Sequence, residues 1–486
     1  MDLINGLLHV FTLSNLLYCF VGCLLGTLVG VLPGLGPASS LSILLPLTIY
    51  LDPTGSVIML VGMYYGVQYG GSTTSILVNI PGEASSVVTC FDGFQMTRQG
   101  RAGQALWIAA VGSFIAGTLG VFLTSFVGAG LARYGLRFGP PEYFGLLVLS
   151  MTTLVSLSGA SLTKGIALGF LGMMLAATGT DPLSGTARFN FGSMKLVLGF
   201  DLIPLVVGLF GIAEILSTAE AGVVKIYEGK LGKMIPRGDE LKKGLLAALR
   251  GTALGLPLGV LPGITSVLSS FLAYDLEKRL SKYPEKFGGG VIEGVAAPEA
   301  ANNATAQTNF IPLMAFGIPT SASMAVFLAA LMLYGLTPGP RLFQMNKQFV
   351  WTVIASMYVG NVMLLVLNLP LVGVWARLCK IPYKYIGPTI LAICVVGAYS
   401  PRNAMFDVWV ALGAGIAGYV MRKTDSPVAP FILGFILGPM LEQALRQSLS
   451  MGGLTIFLHR PIFIAFIGLT LLITFVSLKY FRRVPV

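Results

Sequence analysis

The chain has 486 residues, of which 55% are hydrophobic and 10% charged, with a mean hydropathy of +0.82. Soluble domains carry about 25% charged residues, so this composition excludes a soluble globular protein. The formal net charge of +11 comes from Lys and Arg that lie between apolar runs, which indicates membrane orientation signals and not a nucleic-acid surface. The sequence therefore predicts an all-α polytopic membrane protein in a lipid bilayer, with no nucleic-acid partner.

The first predicted element is a hairpin that turns back inside the membrane. Residues 30–40 read GVLPGLGPASS and interrupt an apolar stretch that begins and ends in sequence without basic residues. Gly and Pro end helices, and freed backbone groups persist at membrane depth only where they line a cavity or lie buried in protein. A polar stretch, NIPGEASS at 79–86, interrupts the next apolar run and predicts a broken helix.

Four further crossings are predicted at 105–131, 143–160, 162–178 and 199–217, which completes a first repeat over residues 1–220. No Lys or Arg precedes Arg98, whereas the segment 221–244 is basic and predicts a cytoplasmic linker. Because Lys and Arg accumulate on the cytoplasmic side, we expect the N-terminus to face the periplasm.

The second predicted repeat covers residues 245–446. Its hairpin tip, at 259–267, reads GVLPGITSV, and the stretch 245–274 is too short for two crossings although basic residues flank both ends. A second broken helix is expected at 316–323, where the sequence reads FGIPTSAS. Residues 447–486 then predict a C-terminal transmembrane helix and a basic tail that lies in the cytoplasm.

Five crossings in each repeat would leave the two repeats with inverted topology, each with a re-entrant hairpin and a broken helix. Later matches in the same order, such as PLVVGLFGIAE at 204–214 and PFILGFILGPMLE at 430–442, agree with this duplication. Inverted repeats with discontinuous helices are typical of secondary transporters, whose freed N–H groups and helix ends bind anionic substrates. The sequence therefore predicts a transporter for a carboxylate; the alternative is that Gly and Pro merely kink packed helices.

The predicted binding residues form two sets. Backbone and hydroxyl donors at the tips and breaks are expected to bind substrate: Pro33, Gly34, Gly36, Ser39, Asn79, Pro81, Gly82, Ser85, Pro262, Gly263, Thr265, Ser266, Gly317, Pro319, Thr320 and Ser321. Oxygen-bearing side chains in the neighbouring helices are expected to bind a cation such as Na⁺: Ser72, Thr73, Thr74, Asn302, Asn303, Thr305 and Gln307. The amides of the second set have two alternative roles, to bind substrate or to link helices.

Two acids, Glu83 and Glu299, lie nearest the predicted breaks. Ionisable residues inside a membrane are functional hypotheses by default, and here proton transfer is one interpretation. The other interpretation places both carboxylates at a solvated loop edge. The sequence indicates no cofactor and no metal beyond Na⁺, and the motifs DDxxD and HExxH of membrane-embedded enzymes do not occur, so we do not expect an enzyme.

Several long motifs resemble the large membrane subunit of tripartite tricarboxylate transporters: GVLPGLGP, NIPGEASSVVTCFDG, EGVAAPEAANNATAQTNFIPLMAFGIPTSASMA and YGLTPGP. The resemblance implies import of citrate-like tri- or dicarboxylates across the bacterial inner membrane, driven by a gradient of Na⁺ or H⁺. It also implies a periplasmic solute-binding protein and a small four-helix membrane subunit as partners. The family motifs map onto Pro33, Gly34, Pro262 and Gly263 at the tips, and onto Pro81, Gly82 and Pro319 at the breaks. The alternative function is a cation antiporter or a channel without a binding-protein partner.

Overall fold

A computed structural model describes residues 2–32, 35–135, 137–157, 162–181, 184–221, 231–261, 265–378 and 383–481. Several predicted features lie outside these ranges. They are the tip residues Pro33, Gly34, Pro262 and Gly263, residues 222–230 of the predicted linker, and the last five residues of the tail. Within them the chain is almost entirely helical, and one two-stranded pairing joins β1 (Gly179–Thr180) to β2 (Ala187–Arg188). The predicted all-α class is therefore confirmed.

The helices of residues 1–221 are α1 (Asp2–Val10), α2 (Leu13–Gly30), α3 (Pro37–Thr48), α4 (Pro53–Val78), α5 (Val87–Arg98), α6 (Ala102–Leu123), α7 (Ala129–Gly135), α8 (Pro140–Leu157), α9 (Leu162–Ala176), α10 (Leu202–Val206) and α11 (Ala213–Ala221). Short 3₁₀ turns occur at Ala84–Ser86 and Met194–Leu196. Two π-helical segments, Thr124–Gly128 and Val207–Ile212, join α6 to α7 and α10 to α11.

The helices of residues 239–481 are α12 (Asp239–Val260), α13 (Ser266–Leu280), α14 (Glu293–Thr308), α15 (Phe310–Phe316), α16 (Ala322–Leu333), α17 (Pro340–Met345), α18 (Lys347–Asn368), α19 (Val372–Leu378), α20 (Tyr383–Tyr399), α21 (Met405–Lys423), α22 (Val428–Gly452) and α23 (Pro461–Phe481). Two 3₁₀ segments, Pro284–Lys286 and Gly453–His459, precede α14 and α23.

Five helical stretches in the described part of the chain are long and apolar enough to cross a membrane: Leu13–Gly30, Ala102–Gly135, Leu202–Glu220, Lys347–Asn368 and Val428–His459. Large apolar side chains on several helices face outward. Phe126, on the π-helical segment before α7, is 64% exposed, and Phe475, on α23, is 66% exposed. An exposed aromatic surface of this kind fits contact with lipid. The chain is a membrane protein.

Glycines allow α2 and α4 to pack backbone against backbone. A Cβ atom added at Gly22, Gly26 or Gly30 would lie only 2.2–2.4 Å from a carbonyl oxygen of α4. The carbonyls belong to Met59, Met63 and Val67, so the contact repeats every four residues. Small residues at this spacing give transmembrane helices their closest approach, and we call this contact the α2–α4 seam.

Helices α12 and α14 form a second seam with the same pattern. Gly251, Gly255 and Gly259 lie against the backbone of α14, where added Cβ atoms would meet the carbonyls of Ala297, Ala301 and Thr305 at 2.2–2.5 Å. The spacing along both helices equals that of the α2–α4 seam. The two regions that contain the predicted hairpins thus have one packing scheme.

Close glycine contacts also join the last helices of the first half of the chain to those of the second half. Gly434 of α22 packs on the backbone of Gly169 in α9, while Gly208 packs on the carbonyl of Ala411 in α21. The last helix of the first half therefore lies beside α21, and the last helix before α23 lies beside α9.

Ion pairs between distant segments join residues that the predicted crossings place on the same side of the membrane. On the predicted outer side the pairs are Lys347 with Asp2, Arg402 with Asp201, and Arg460 with Glu142, at 2.9, 3.1 and 3.6 Å. On the predicted inner side they are Arg101 with Glu240 at 2.6 Å, Arg250 with Glu277, and Lys423 with Glu220. Hydrogen bonds from Arg188 to Glu442 and Asp181 raise the pKa of the Arg188 guanidinium and hold the β1–β2 loop on the end of α22.

The apolar core has two parts. The larger part surrounds the middle of α4, where Phe310 lies edge-on to Tyr65 at 5.9 Å and to Phe327 at 5.0 Å between ring centroids. The smaller part lies between α6, α12 and α14 and consists largely of alanines. The polar residues described next lie where these two parts meet, on α4, α5 and α14.

Candidate functional site

The first helix break follows α4. That helix ends at Val78, and Asn79 adopts the left-handed conformation with φ of 60°. Asn tolerates this region better than other residues with a side chain, and the following Pro81 has no N–H with which to extend a helix. The chain resumes helical structure only after Glu83, whose side chain accepts a hydrogen bond from the backbone N–H of Ser86.

The second break, between α15 and α16, is built in the same way. The helix ends at Phe316, Gly317 adopts the left-handed conformation with φ of 73°, and Pro319 follows two residues later. Ser321 then caps α16 by accepting a hydrogen bond from the backbone N–H of Met324 at 3.3 Å. Each element of the first break thus recurs at the same spacing in the second.

An additional interruption separates α14 from α15 at Asn309. The sequence pattern gave no prediction of a break at this position. Pro312 has no N–H to donate to the carbonyl of Thr308, so one bond of the helix is missing at this point. The side chain of Asn309 is 1% exposed, and neither its oxygen nor its nitrogen has a hydrogen-bond partner among the described residues.

The first break packs tightly onto the α2–α4 seam. A Cβ atom added at Gly82 would lie 2.4 Å from Cα of Gly71, 2.5 Å from the carbonyl oxygen of Gly30 and 2.7 Å from Oγ1 of Thr74. Only glycine allows the chain to approach two other backbones this closely. The break is therefore held in contact with the end of α2, directly before the predicted tip.

Glu83 lies in a cluster of hydrogen-bond donors. Its Oε1 accepts from Oγ of Ser85 at 2.6 Å and from Nδ2 of Asn302 at 2.8 Å. The Gln68 amide, oriented with its nitrogen toward Glu83, donates to both carboxylate oxygens at 2.6 and 3.0 Å. These donors come from α4, the first break and α14, so Glu83 connects the two halves of the chain.

Glu299, in the middle of α14, has fewer partners. Ser72 donates to its Oε2 at 2.5 Å, and the hydroxyl of Thr89 contacts Oε1. Asn303, one turn later on α14, donates to Oγ of Ser113 on α6 at 2.7 Å. The carboxylate of Glu299 thus lies where α4, α5 and α14 meet.

Both carboxylates are buried, with Glu83 5% and Glu299 1% exposed, which contradicts the interpretation that they lie at a solvated loop edge. Within the described ranges, neither carboxylate forms an ion pair with Lys or Arg. Removing a carboxylate from water without an opposite charge costs several kcal/mol, roughly. A cation or a proton at either carboxylate would offset this cost.

Asp92 fastens the helix after the first break to the second half of the chain. Its Oδ1 accepts from the backbone N–H groups of Gly290 and Val291 at 2.8 and 2.9 Å, and Tyr274 donates to Oδ2 at 2.8 Å. The backbone N–H of Gly288 contributes a further bond at 3.0 Å. Helices α5 and α13 are therefore joined through one fully buried carboxylate.

The predicted substrate-binding residues are placed unequally. Pro33, Gly34, Pro262 and Gly263 lie outside the described residues. The others lie at helix ends: Gly36 and Ser39 at the start of α3, Thr265 and Ser266 at the start of α13, Asn79, Pro81, Gly82 and Ser85 in the first break, and Gly317, Pro319, Thr320 and Ser321 in the second. Ser39 donates to Glu214 at 3.4 Å, and the buried hydroxyl of Thr320 has no partner among the described residues.

The predicted cation-binding residues separate into two groups. Ser72 and Asn302 lie at the two carboxylates, Asn303 bonds the backbone carbonyl of Glu299 at 3.1 Å, and Thr73 lines a small cavity together with Ser72. The remaining three make helix contacts: Thr74 bonds the carbonyl of Gly71 at 2.9 Å, Thr305 bonds the carbonyl of Gly255 at 3.1 Å, and the side chain of Gln307 packs on Gly120. Thr305 and Gln307 thus join α14 to α12 and α6, whereas the bond of Thr74 lies within α4.

Sequence reasoning missed Gln68, Thr89 and Ser113 as members of this polar centre. Gln68 and Ser72 are one turn apart on α4, and Glu299 and Asn303 are one turn apart on α14. Polar residues at this spacing share a helix face, which was the signal available. The pairing of these two faces depends on the packing of distant helices.

Discontinuous helices and a buried polar centre, in a chain with several membrane-spanning helices, are typical of membrane transporters. A model of the tripartite tricarboxylate transporter TctA family matches residues 16–433, and the chain belongs to this family. It is thus a subunit of the tripartite tricarboxylate transporter type.

Two similar proteins come from Agrobacterium vitis. The uncharacterized 52.8 kDa protein in the TAR-I ttuC′ 3′ region is 45% identical over 474 residues, which cover 95% of this chain and 93% of that protein. The uncharacterized protein in the TAR-II ttuC′ 3′ region is 46% identical over 226 residues, which cover 46% of this chain and 93% of that protein. No solved structure matches the chain.

Proposed function

We propose that this protein is the large membrane subunit of an ion-gradient-driven importer of tri- or dicarboxylates such as citrate. The observation that carries the proposal is the polar centre itself. Two buried carboxylates, Glu83 in the first helix break and Glu299 on α14, have no basic partner among the described residues. A second break of the same construction separates α15 from α16. Family membership supplies the substrate class.

The substrate carboxylates would bind at the breaks and tips. Helical structure begins after each break, at Ala84 and at Ala322, and a helix start offers N–H groups and the positive end of the helix dipole to an anion. Asn309 and Thr320 add polar groups that are buried and unpartnered within the described ranges. The predicted tip residues Pro33, Gly34, Pro262 and Gly263 would complete the site from opposite sides.

Charge explains why the transport would be coupled to a cation. A citrate-like anion that enters next to two carboxylates adds negative charge to a site of low dielectric, where like charges repel strongly. A Na⁺ ion or proton bound at the same centre offsets that repulsion. Carboxylate affinity and cation affinity then rise together, since linkage between two binding sites is reciprocal.

Alternating access would follow from inverted repeats over residues 1–220 and 245–446, joined by the basic linker. The matching α2–α4 and α12–α14 seams support the repeat, and the same-side ion pairs support the crossings. Family membership supports a place in the bacterial inner membrane, and by the positive-inside rule the N-terminus would be periplasmic and the C-terminus cytoplasmic. Its partners would be a periplasmic solute-binding protein and a small four-helix subunit.

Uptake by proteoliposomes tests this function. The three components are reconstituted, and labelled di- and tricarboxylates are added with an inward gradient of Na⁺, of H⁺, or of neither. We expect accumulation that requires both the binding protein and one of the two gradients. Uptake of every carboxylate at the rate of empty liposomes would contradict the proposal.

A cation antiporter or channel without a binding protein is the second candidate. The observation that favours it is Glu299, a buried carboxylate in the middle of a membrane-embedded helix. An antiporter would move Na⁺ against H⁺ in liposomes that contain no carboxylate and no partner. A channel would pass ions without any gradient-driven accumulation, so the same preparation distinguishes the three functions.

A further inference from the structure

A loop between α9 and α10 turns large apolar side chains outward. Residues 189–198, which we call the Phe loop, contain four such side chains that are each 60% exposed or more: Phe189, Phe191, Met194 and Leu198. Asn190, between the two phenylalanines, is half-buried, and its carbonyl accepts a hydrogen bond from the N–H of Ser193 at 2.8 Å. The loop thus places an amide inward and two aromatic rings outward, the reverse of what a loop in water does.

The two phenylalanines also have a strained backbone. Phe189 and Phe191 lie in the left-handed region, with φ of 48° and 47°, which residues with bulky side chains rarely adopt. Strain of this kind persists where the surrounding structure enforces it, and it is concentrated in segments that contact a ligand or partner. In water the exposed rings would gain no burial energy to offset the strain, whereas burial against an apolar partner would offset it.

Arginines hold both ends of the Phe loop. Arg188, directly before the loop, pairs with Glu442 of α22 at 3.0 Å and also with Asp181. Directly after the loop, the carbonyl of Gly199 accepts a hydrogen bond from Arg402, which precedes α21, at 3.2 Å. The loop is therefore fastened to the ends of two long helices, and its apolar side chains are presented from a fixed frame.

The same contacts place the Phe loop at the level where α22 leaves the hydrocarbon. No charged residue occurs in the sequence from Val428 to Leu441, and Glu442, which Arg188 contacts, is the first. Charged side chains avoid the bilayer centre, so Glu442 marks the boundary between acyl chains and headgroups. On α9, which leads into the loop, Phe170 and Met174 are exposed on the outside of the molecule, where lipid lies. The apolar surface of the loop thus continues a lipid-facing surface at the depth of the headgroups.

We propose that the Phe loop is a membrane anchor, which inserts its four exposed apolar side chains into the phospholipid leaflet at the end of α9. Aromatic and aliphatic side chains on a surface segment bury themselves at the boundary between headgroups and acyl chains. Lys195, exposed within the loop, extends its ammonium group toward the lipid phosphates while its stem lies against apolar surface. Through Arg188 and Arg402, the anchor fixes the depth of α22 and α21 in the bilayer.

This proposal goes beyond the proposed function, because an anchor in lipid requires no particular substrate or coupling ion. The predicted crossings place the loop in the outer leaflet, since α9 runs from the inner to the outer side. The anchor itself depends only on the level of the loop relative to α9 and α22, so it holds for either orientation of the chain.

Spin labels measure the depth of the loop in phosphatidylcholine liposomes that contain this protein alone. A nitroxide is attached to Phe191→Cys or Met194→Cys, and its collisions with oxygen, which concentrates in lipid, are compared with its collisions with a water-soluble nickel complex. Phe170→Cys on α9 is the lipid-facing control, and Glu285→Cys in the exposed Pro284–Lys286 turn is the aqueous control. The protein without an added cysteine gives the background from its native thiols.

We expect both loop labels to collide mainly with oxygen, as the label of Phe170→Cys does. Loop labels that collide with the nickel complex as often as the label of Glu285→Cys would overturn the proposal. Poor access to both reagents, together with dipolar broadening between labels, would show that a second copy of the chain covers the loop and would overturn it as well.

Asparagine substitutions give a second test, because water and lipid around the loop predict opposite signs. Asn adopts the left-handed conformation more readily than Phe, so the double variant Phe189→Asn, Phe191→Asn relieves backbone strain. In a loop that faces water, this variant would unfold at the wild-type temperature or above it. Since the anchor buries both rings in lipid, we expect its unfolding temperature in liposomes to fall by a few degrees, roughly.

The matched control is the double variant Phe189→Leu, Phe191→Leu, which keeps the apolar surface and should unfold close to the wild type. An asparagine variant that unfolds at the wild-type temperature or above it would overturn the anchor. If the double asparagine variant does not insert, Phe191→Asn is measured alone against Phe191→Leu.

The outcomes separate this proposal from the proposed function. Carboxylate uptake by a protein whose loop labels are open to the nickel complex preserves the transporter and overturns the anchor. Lipid-inserted labels in a protein that imports no carboxylate support the anchor and contradict the importer. Labels that water reaches in liposomes, and that a second protein shields when it is added, would assign the loop to protein docking and overturn the anchor.

Discussion

Replacement of Gly82 by alanine tests whether the first break must lie against the α2–α4 seam. The added Cβ would be 2.4 Å from Cα of Gly71 and 2.5 Å from the carbonyl oxygen of Gly30, whereas ordinary Cβ contacts begin near 3.4 Å. The break must therefore move by about 1 Å away from two backbones. Overpacking of this kind costs about 1–3 kcal/mol.

That cost would reduce the population of the binding-competent break by about 5-fold to 160-fold, since 1.36 kcal/mol corresponds to a factor of ten. The apparent KM for the carboxylate rises by the same factor when only the competent state binds. We expect Gly82→Ala to insert normally, to raise KM in proteoliposome uptake and to lower the unfolding temperature by a few degrees, roughly.

Gly413→Ala in α21 is the control, because no atom lies within 4 Å of a Cβ added there. We expect it to transport like the wild type and to unfold no earlier, since alanine is the better helix former. If Gly82→Ala showed wild-type KM and wild-type unfolding temperature, the tight contact would have no role in binding.

Three further substitutions test neighbouring features. Glu83→Gln places an amide N–H among the donors of Asn302 and Gln68, so we expect carboxylate uptake to fall roughly tenfold or more. Uptake at the wild-type rate would contradict a role for the charge. Asp92→Ala leaves several buried N–H groups unpaired and should lower the unfolding temperature, measured by a thermal scan; an unchanged temperature would show that Asp92 does not fasten α5 to α13. Asn79→Val strains a left-handed position by about 1–2 kcal/mol and should lower the unfolding temperature, whereas Asn79→Gly should be tolerated.

The helix ends at the breaks were predictable because their cause is local. A left-handed position followed two residues later by proline stops a helix in any surroundings, and both Asn79-Ile-Pro and Gly317-Ile-Pro have this form. The membrane class followed from composition in the same direct way. The interruption at Asn309 has a similar local cause in Pro312, although no glycine marks it.

The polar centre was only partly predictable, because it depends on contacts between helices far apart in sequence. Asn302 and Ser72 were recognisable as polar residues in apolar surroundings, and the structure places them at the two carboxylates. Thr305 has the same chemistry, yet it faces α12 and bonds the carbonyl of Gly255. Only the rotation of α14 about its axis distinguishes these positions, and that rotation is set by the α12–α14 seam.

The two glycine-lined seams have a consequence for how such a molecule can move. Backbones in direct contact every four residues have no flexible side chains between them to absorb sliding, so α2 must travel with α4 and α12 with α14. Any conformational cycle therefore shifts these helix pairs as rigid blocks, with relative motion confined to boundaries where longer side chains meet. A crosslink across either seam would leave such a cycle intact, whereas one between the blocks would stop it.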